Sequence, residues 1–261
     1  MMGWTAPLRR RLDLLASPVA CFFRDDDAGR SDPQLKALVA VFAEAGTAVD
    51  VAAIPAALGR ASVAVMLPHL GDGLVSIHQH GWAHTNHELT GRGSEFGASR
   101  ASTDQLADLL RGARVLSELF EGRVAPFFTP PWNRCEALTA QLLAEHGYTM
   151  MSCDRSAPRR GVDGLQELPV TVDWVRLWRR GGPSAVCEEI AAAIGDAELS
   201  GPAVGLMLHH AEMSAAEFAA LAELLAALKS HDQVEMTSMS GLSQVDPRNR
   251  TGGTSCLRIL S

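Results

Sequence analysis

Short runs of apolar, β-prone residues alternate along this chain with longer stretches whose apolar positions recur at helical spacing. The first strand is expected over residues 19–23, ending at three consecutive aspartates, Asp25, Asp26 and Asp27. Asp32 and Pro33 open a helix whose apolar face is Leu35, Leu38, Val39 and Phe42, and Gly46 stops it. Strands are expected over residues 48–54 and 74–77, the second delivering its C-terminal end to a histidine cluster. Ser102 with Gln105 reads as a capping box for a helix over 103–121. A strand over 124–129 runs into Pro130-Pro131, and Asn133 with Glu136 opens a helix that Gly147 ends. Residues 148–152 and 168–172 are short strand candidates. A helix over 184–197, a strand over 203–208, a helix capped by Ser214 and Glu217 and reaching Ser230, and a strand near 233–237 complete the pattern. There is no internal repeat and no linker that divides the series. One α/β domain over 1–242 with a parallel sheet or barrel follows, with a loosely ordered tail over 243–261.

Composition narrows the partners. With 47% apolar and 20% charged residues the chain has an ordinary globular balance, and its formal net charge of -7 repels nucleic acid and anionic membranes. The five cysteines are odd in number and lack a CxxC pair, so neither a disulfide framework nor a cysteine zinc site is indicated. Cys21 lies in an apolar run and reads as a buried thiol. No apolar run approaches the ~18 residues of a membrane span. Asp13 and Pro18 interrupt the mildly apolar stretch after Arg9-Arg10-Arg11. A cytoplasmic location is the expectation, and the oligomeric state stays open.

The unusual residues fall at four strand ends, where parallel α/β folds build their sites. These are Asp25 to Asp27, His78 to His87, Pro130 to Asn133, and His209-His210. His80 and His84, four apart, would share one face of a helical turn and could address one ion, with His78 and His87 as competing ligands. Gly81 permits a tight bend between them. Three adjacent aspartates repel one another unless a cation neutralises them, a role Arg24 could share. One carboxylate with two imidazoles suits zinc or a similar ion, and a second carboxylate beside it is placed to serve as general base.

The run Phe-Arg-Asp-Asp-Asp-Ala-Gly at 23–29 resembles the Asp-Asp motif of the NodB-type polysaccharide deacetylases. His-Gly-Trp-Ala-His-Thr-Asn-His at 80–87 is similar to the metal-binding motif of that family. Thr-Pro-Pro-Trp-Asn at 129–133, Asp173-Trp174 and Leu-Met-Leu-His-His at 206–210 resemble the third, fourth and fifth motifs, all in family order. The resemblance implies a distorted (β/α) barrel. It makes Asp27, His80 and His84 the ligands of one divalent ion, zinc first, with Co, Ni, Mn or Fe as alternatives. It makes Asp26 the base and Asp25 a neighbour, with a shift of one residue left open. His209 takes the acid role, with His210 as fallback. Pro131, Trp132, Asn133 and Trp174 are the implied substrate and oxyanion residues. The implied function is removal of an acyl group, N-acetyl first, from a carbohydrate or sugar-linked substrate, hence hydrolysis of a non-peptide carbon–nitrogen bond. The alternatives are an amidase or deformylase acting on a small amide, or a metal-binding protein without turnover.

Two departures matter. The family arginine of the third motif is replaced by Thr129, and Arg24 is expected to substitute by pairing with Asp173 or with the base. Aromatic residues make up only 5% of the chain, leaving Trp82, Trp132, Trp174 and Trp178 as candidate sugar platforms.

Overall fold

Val19–Ala28 forms β1, the centre of a parallel sheet in the computed structural model, which describes residues 3–200 and 203–243. Before it lies α1 (Ala6–Leu12), and after it come α2 (Asp32–Ala45), β2 (Val49–Ala53), α3 (Arg60–Met66) and β3 (Val75–His80). There follow α4 (Ser102–Leu119), β4 (Phe127–Thr129), α5 (Ala137–Glu145), β5 (Met150–Met151), β6 (Gln166–Glu167) and β7 (Val172–Asp173). The described chain ends with α6 (Trp174–Ser200), β8 (Val204–Leu208), α7 (Ala215–Lys229) and β9 (Val234–Met236).

The strand order is β6-β5-β4-β3-β2-β1-β8-β7, with β9 paired to the first residues of β1. Every pairing is parallel, and the sheet curls into an open half-barrel with helices around it, a distorted (β/α) barrel of the deacetylase type. A strand covered on both faces needs a continuous apolar run. In β1, Cys21 and Phe23 enter the main core while Phe22 points into a second cluster with Phe127, Met150 and Met207. Phe42 of α2 meets Phe23 edge-on at 5.3 Å. Residues 244–261, nearly all of the expected tail, lie outside the described residues. Among the described residues no helix is long and apolar enough to cross a membrane.

Several expectations need correction. β1 does not stop at Phe23 but runs through all three aspartates, because buried cations neutralise Asp25 and Asp26 inside the strand. The capping box at Ser102 does not form; Gln105 is buried and bonds instead to Gly97, Arg100 and Thr139. The true box is at Ser214, where Glu217 and the serine satisfy each other's backbone N–H. The helix expected over 184–197 begins earlier, at Trp174, where Asp173 Oδ1 accepts the Arg176 N–H. A kink at Gly181 and Gly182 (φ +63°) precedes Pro183, which opens the second segment. The strand expected over 168–172 is not formed as such: that stretch follows β6 and holds only an isolated bridge at Val170 and the first residue of β7, Val172.

Candidate metal centre

The end of β1 separates its three aspartates. Register with β2 slips between Asp25 and Ala28, and Asp27 takes a left-handed φ of 73°. Three carboxylates adjacent in sequence thereby meet three different partners. Asp25 faces His210, Asp26 faces Arg24, and Asp27 faces His80 and His84.

His80 closes β3. Its Nδ1–H donates to the Thr129 carbonyl at 2.9 Å, which turns Nε2 toward Asp27 Oδ1 at 3.3 Å. Gly81 follows at φ +60°, where a Cβ would lie 2.5 Å from Pro131 Cγ and collide with the Glu95 carboxylate. That buried carboxylate accepts the N–H groups of Trp82 (3.1 Å) and Ala83 (2.8 Å), pinning the turn. His84, at φ 54°, brings its own Nε2 to 3.3 Å from Asp27 Oδ1, and the Trp132 ring lies 4.2 Å from its imidazole. The two histidines therefore converge across a glycine turn and a loop. The helical turn expected for them is not formed.

Burial opposes charge on His80, yet the Asp27 carboxylate beside it prevails and holds its pKa above the ordinary value. His84 goes the other way: burial, and then the neighbouring His80 charge, push it down to about 4. Burial alone would raise Asp27, but His80, His84 and Arg30 hold it well below the usual carboxylate range. Asp27 Oδ1 is buried and accepts no well-formed hydrogen bond. The ligand atoms of Asp27, His80 and His84 all lie within 4.8 Å of one another. A buried, unpartnered carboxylate oxygen between two imidazole nitrogens is the donor set of a divalent transition ion, so the residues fit such a group. His78 is outside this set. It is buried with Nε2 against Thr129 Oγ1 at 2.9 Å, and burial pushes it down to about 3.

Asp26 is gripped from behind. Arg24 Nε and Nη2 donate to its two oxygens at 2.8 Å each. The remaining guanidinium hydrogens go to the Ser152 carbonyl (3.0 Å), Ser152 Oγ (2.8 Å) and Asn133 Oδ1 (2.7 Å). All five donors of this buried fork are thus used. Burial would raise Asp26, but the Arg24 charge, with His80 and His209, leaves it below the usual carboxylate range. Of the two partners expected for Arg24, it meets Asp26 and not Asp173. The Asn133 side chain, expected at the substrate, is committed inward to Arg24 and to Met207 Sδ.

The two terminal histidines separate as sharply. His210 is buried, donating Nδ1–H to Asp25 Oδ2 at 2.6 Å and Nε2–H to the Arg30 carbonyl at 2.7 Å. Since both partners only accept, the ring carries two protons. Burial resists this charge, but Asp25 raises the pKa to about 9. His209 instead borders an open cavity of about 280 Å³ with Asp173, Arg176, Arg179 and Glu212. Trp174 is fully buried, stacked on Trp178 at 5.8 Å, and offers no face to a substrate. The preference of its indole for the core outweighs its position next to Asp173. Glu95, Ser152 and Arg30 were not foreseen. Arg30 lies just past the aspartate run, but no sequence pattern marks the other two.

No protein-family model matches the sequence, and no curated protein matches it. Solved structures do match. A Mycobacterium smegmatis protein described as a polysaccharide deacetylase is 19% identical, with 87% of this chain and 92% of that one covered at a TM-score of 0.67. A family 4 carbohydrate esterase from Streptomyces lividans, solved with acetate, is 13% identical over 84% and 92% at 0.58. A family 4 pseudoenzyme from Bacillus anthracis is 12% identical over 87% and 66% at 0.59. The chain has the fold of the polysaccharide deacetylases and family 4 carbohydrate esterases.

Proposed function

We propose that this chain is a metal-dependent hydrolase that removes an acyl group, N-acetyl first, from a carbohydrate or sugar-linked substrate. The observation that carries this reading is the unpartnered Asp27 Oδ1 between two imidazole nitrogens, beside a second carboxylate clamped by a guanidinium. Asp27, His80 and His84 would hold the ion, zinc before Co, Ni, Mn or Fe. Bound there, such an ion acidifies water and polarises a carbonyl. Asp26 takes the proton of the attacking water. Each of its oxygens keeps a lone pair beyond the one given to Arg24. A carboxylate held this acidic is a weak base, which is why it is paired with chemistry that acidifies the water. The backbone N–H of Trp132 donates to the developing oxyanion, and His209, which borders the open cavity, protonates the departing nitrogen or oxygen.

The cavity beside His209 favours a small substrate. About 280 Å³ lined by charged side chains, with Trp174 in the core, suits a short sugar-linked or small amide compound better than a polymer. The test is metal analysis of wild type and of the His80→Ala/His84→Ala double variant, with assays for acetate and formate release. One ion per chain is expected in wild type and none in the double variant. Asp26→Asn should keep the ion and lose roughly 10²–10⁴ in rate. A wild type that takes up no ion under metal-replete conditions overturns the reading. An ion bound without release of any acid leaves a metal-binding protein, as the fold shared with a pseudoenzyme allows.

A further inference from the structure

The turn that carries both histidine ligands is held by a carboxylate from outside the metal cluster. Glu95 lies in the loop between β3 and α4 and is wholly buried. Its Oε1 accepts the Ala83 N–H at 2.8 Å and its Oε2 accepts the Trp82 N–H at 3.1 Å. Consecutive amides turned toward one anion form a nest, and here the chain supplies the anion itself. The turn needs that hold. Gly81 and His84 take left-handed φ values of 60° and 54°, and a histidine stays in that conformation only where its surroundings impose it. Trp82 and Ala83, the two residues between them, are the ones Glu95 fixes.

Glu95 is anchored in turn from its far side. Arg134 Nη1 donates to the Gly93 carbonyl at 3.0 Å, and Ser94 Oγ donates to the Arg134 carbonyl at 3.2 Å. Phe96 is buried, bridges to Cys135, and accepts the Glu136 N–H at 3.0 Å. Residues 93–96 therefore ride on the segment that follows Trp132 and Asn133. The Trp132 ring itself lies 4.2 Å from the His84 imidazole. The ligand turn and the third-motif loop are thus joined through one carboxylate.

We propose that Glu95 is a positioning residue for the metal centre. Its carboxylate holds the turn that aims His84 Nε2 at Asp27 Oδ1, and so sets the affinity of the site for a divalent ion. The inference rests on the metal-dependent reading above. It requires both the reach and the two acceptor oxygens of glutamate. Glutamine keeps the reach, but it has one acceptor oxygen and turns an amide donor toward the other backbone N–H. Aspartate keeps the charge and both oxygens but is one methylene too short. Loss of position therefore weakens both variants, whereas a merely electrostatic pull on the cation survives in aspartate.

The test is zinc affinity, read by competition with a chelating dye, together with the visible spectrum of the cobalt(II)-loaded protein, which reports ligand geometry. Full-chain wild type, Glu95→Gln, Glu95→Asp, His84→Ala and the Glu95→Gln/His84→Ala double variant are compared, with circular dichroism as the check on folding. Glu95→Gln and Glu95→Asp should each bind zinc about 10- to 100-fold more weakly, the range for removing a ligand's outer support. Their cobalt spectra should move toward that of His84→Ala. In the His84→Ala background, Glu95→Gln should cost less than about 2-fold more, because the ligand it serves is gone. Wild-type affinity and spectrum in a folded Glu95→Gln, full affinity in Glu95→Asp, or an equal loss with and without His84 would each overturn the proposal. If Glu95→Gln does not fold, Glu95→Asp decides. A wild type that takes up no ion fails the hydrolase reading and takes this inference with it. An ion held equally well by wild type and variants fails this inference alone.

Discussion

At the ends of β1 and β3, Asp26, Asp27 and His80 lie almost wholly out of water, whereas Arg176 and Arg179, beyond β7, are 79% and 66% exposed. Both groups carry charge at the same rim. In the buried half each charge has a dedicated partner, and the Arg24 fork spends all five hydrogens on Asp26, Ser152 and Asn133. In the open half, Arg179 meets Glu212 at 2.6 Å and Arg176 stands 3.9 Å from Asp173, with water free to replace either acid. A low local dielectric magnifies every interaction and every vacancy in the first group, and solvent damps both in the second. On the proposed reading, the reaction is confined to the dry half and the wet half meets the leaving group.

Removing Arg24 should break this contrast most severely. Arg24→Ala leaves Asp26 buried without its cation, and loss of one member of a buried pair costs about 3–5 kcal/mol. Denaturant unfolding should record that loss, and acyl release should fall while metal content holds, because Arg24 touches none of Asp27, His80 and His84. If the alanine variant does not fold, Arg24→Lys keeps the charge but not the two-pronged grip and should show the same split. An unimpaired rate in a folded variant removes Arg24 from the machinery.

The contrast also explains what the sequence could disclose. Local signals held: Asp32-Pro33 and Gly46 bound α2, and Ser214 with Glu217 caps α7. The residues at the four strand ends were legible as chemistry because aspartate and histidine runs after apolar strands are hard to bury unpaired. Their partners were less so. Glu95 reaches the Trp82 and Ala83 N–H groups across a loop, and Ser152 meets Arg24 from the segment just after β5, contacts that neither periodicity nor spacing encodes. Ser102 and Gln105 show the opposite failure. Their spacing fits a capping box, but Thr139, far along the chain, takes the glutamine side chain into the core. The His209-His210 doublet could not be resolved from sequence, since only the Asp25 and Arg30 contacts draw one ring inward.

His210 supplies the next effect in size, read as a pH dependence in metal-free protein. Its pKa rises from 6.5 to about 9 on folding, with Asp25 and the Arg30 carbonyl facing the ring and Asp27 adding a weaker pull. A raised histidine stabilises the fold fully below its unfolded value and ceases to do so as pH climbs through the folded one. Stability on the order of 3 kcal/mol, at about 1.36 kcal/mol per pH unit, should therefore drain away between pH 6.5 and 9. Asp50, which burial pushes up to about 7, completes most of its own titration in the lower part of that window. Thermal melts from pH 7 to 9 should fall in wild type and flatten in His210→Gln. Equal slopes in the two proteins would show that the Asp25–His210 pair does not carry this dependence.

Arg179→Ala should have the smallest effect, and it tests the open half directly. An exposed pair such as Arg179 with Glu212 contributes about 0–1 kcal/mol to stability, so the melting temperature should barely move. Arg179 shares its cavity with His209 but lies outside the metal-binding cluster, so metal content should not change. On the proposed reading the side chain helps receive the leaving group. KM for an acylated sugar should then rise a few-fold, within the ~1 kcal/mol that a solvated charge supplies, while kcat stays near wild type. A large fall in kcat would mean that the exposed rim also acts in the transition state, and the division between a dry reacting half and a wet recognising half would have to be redrawn around His209.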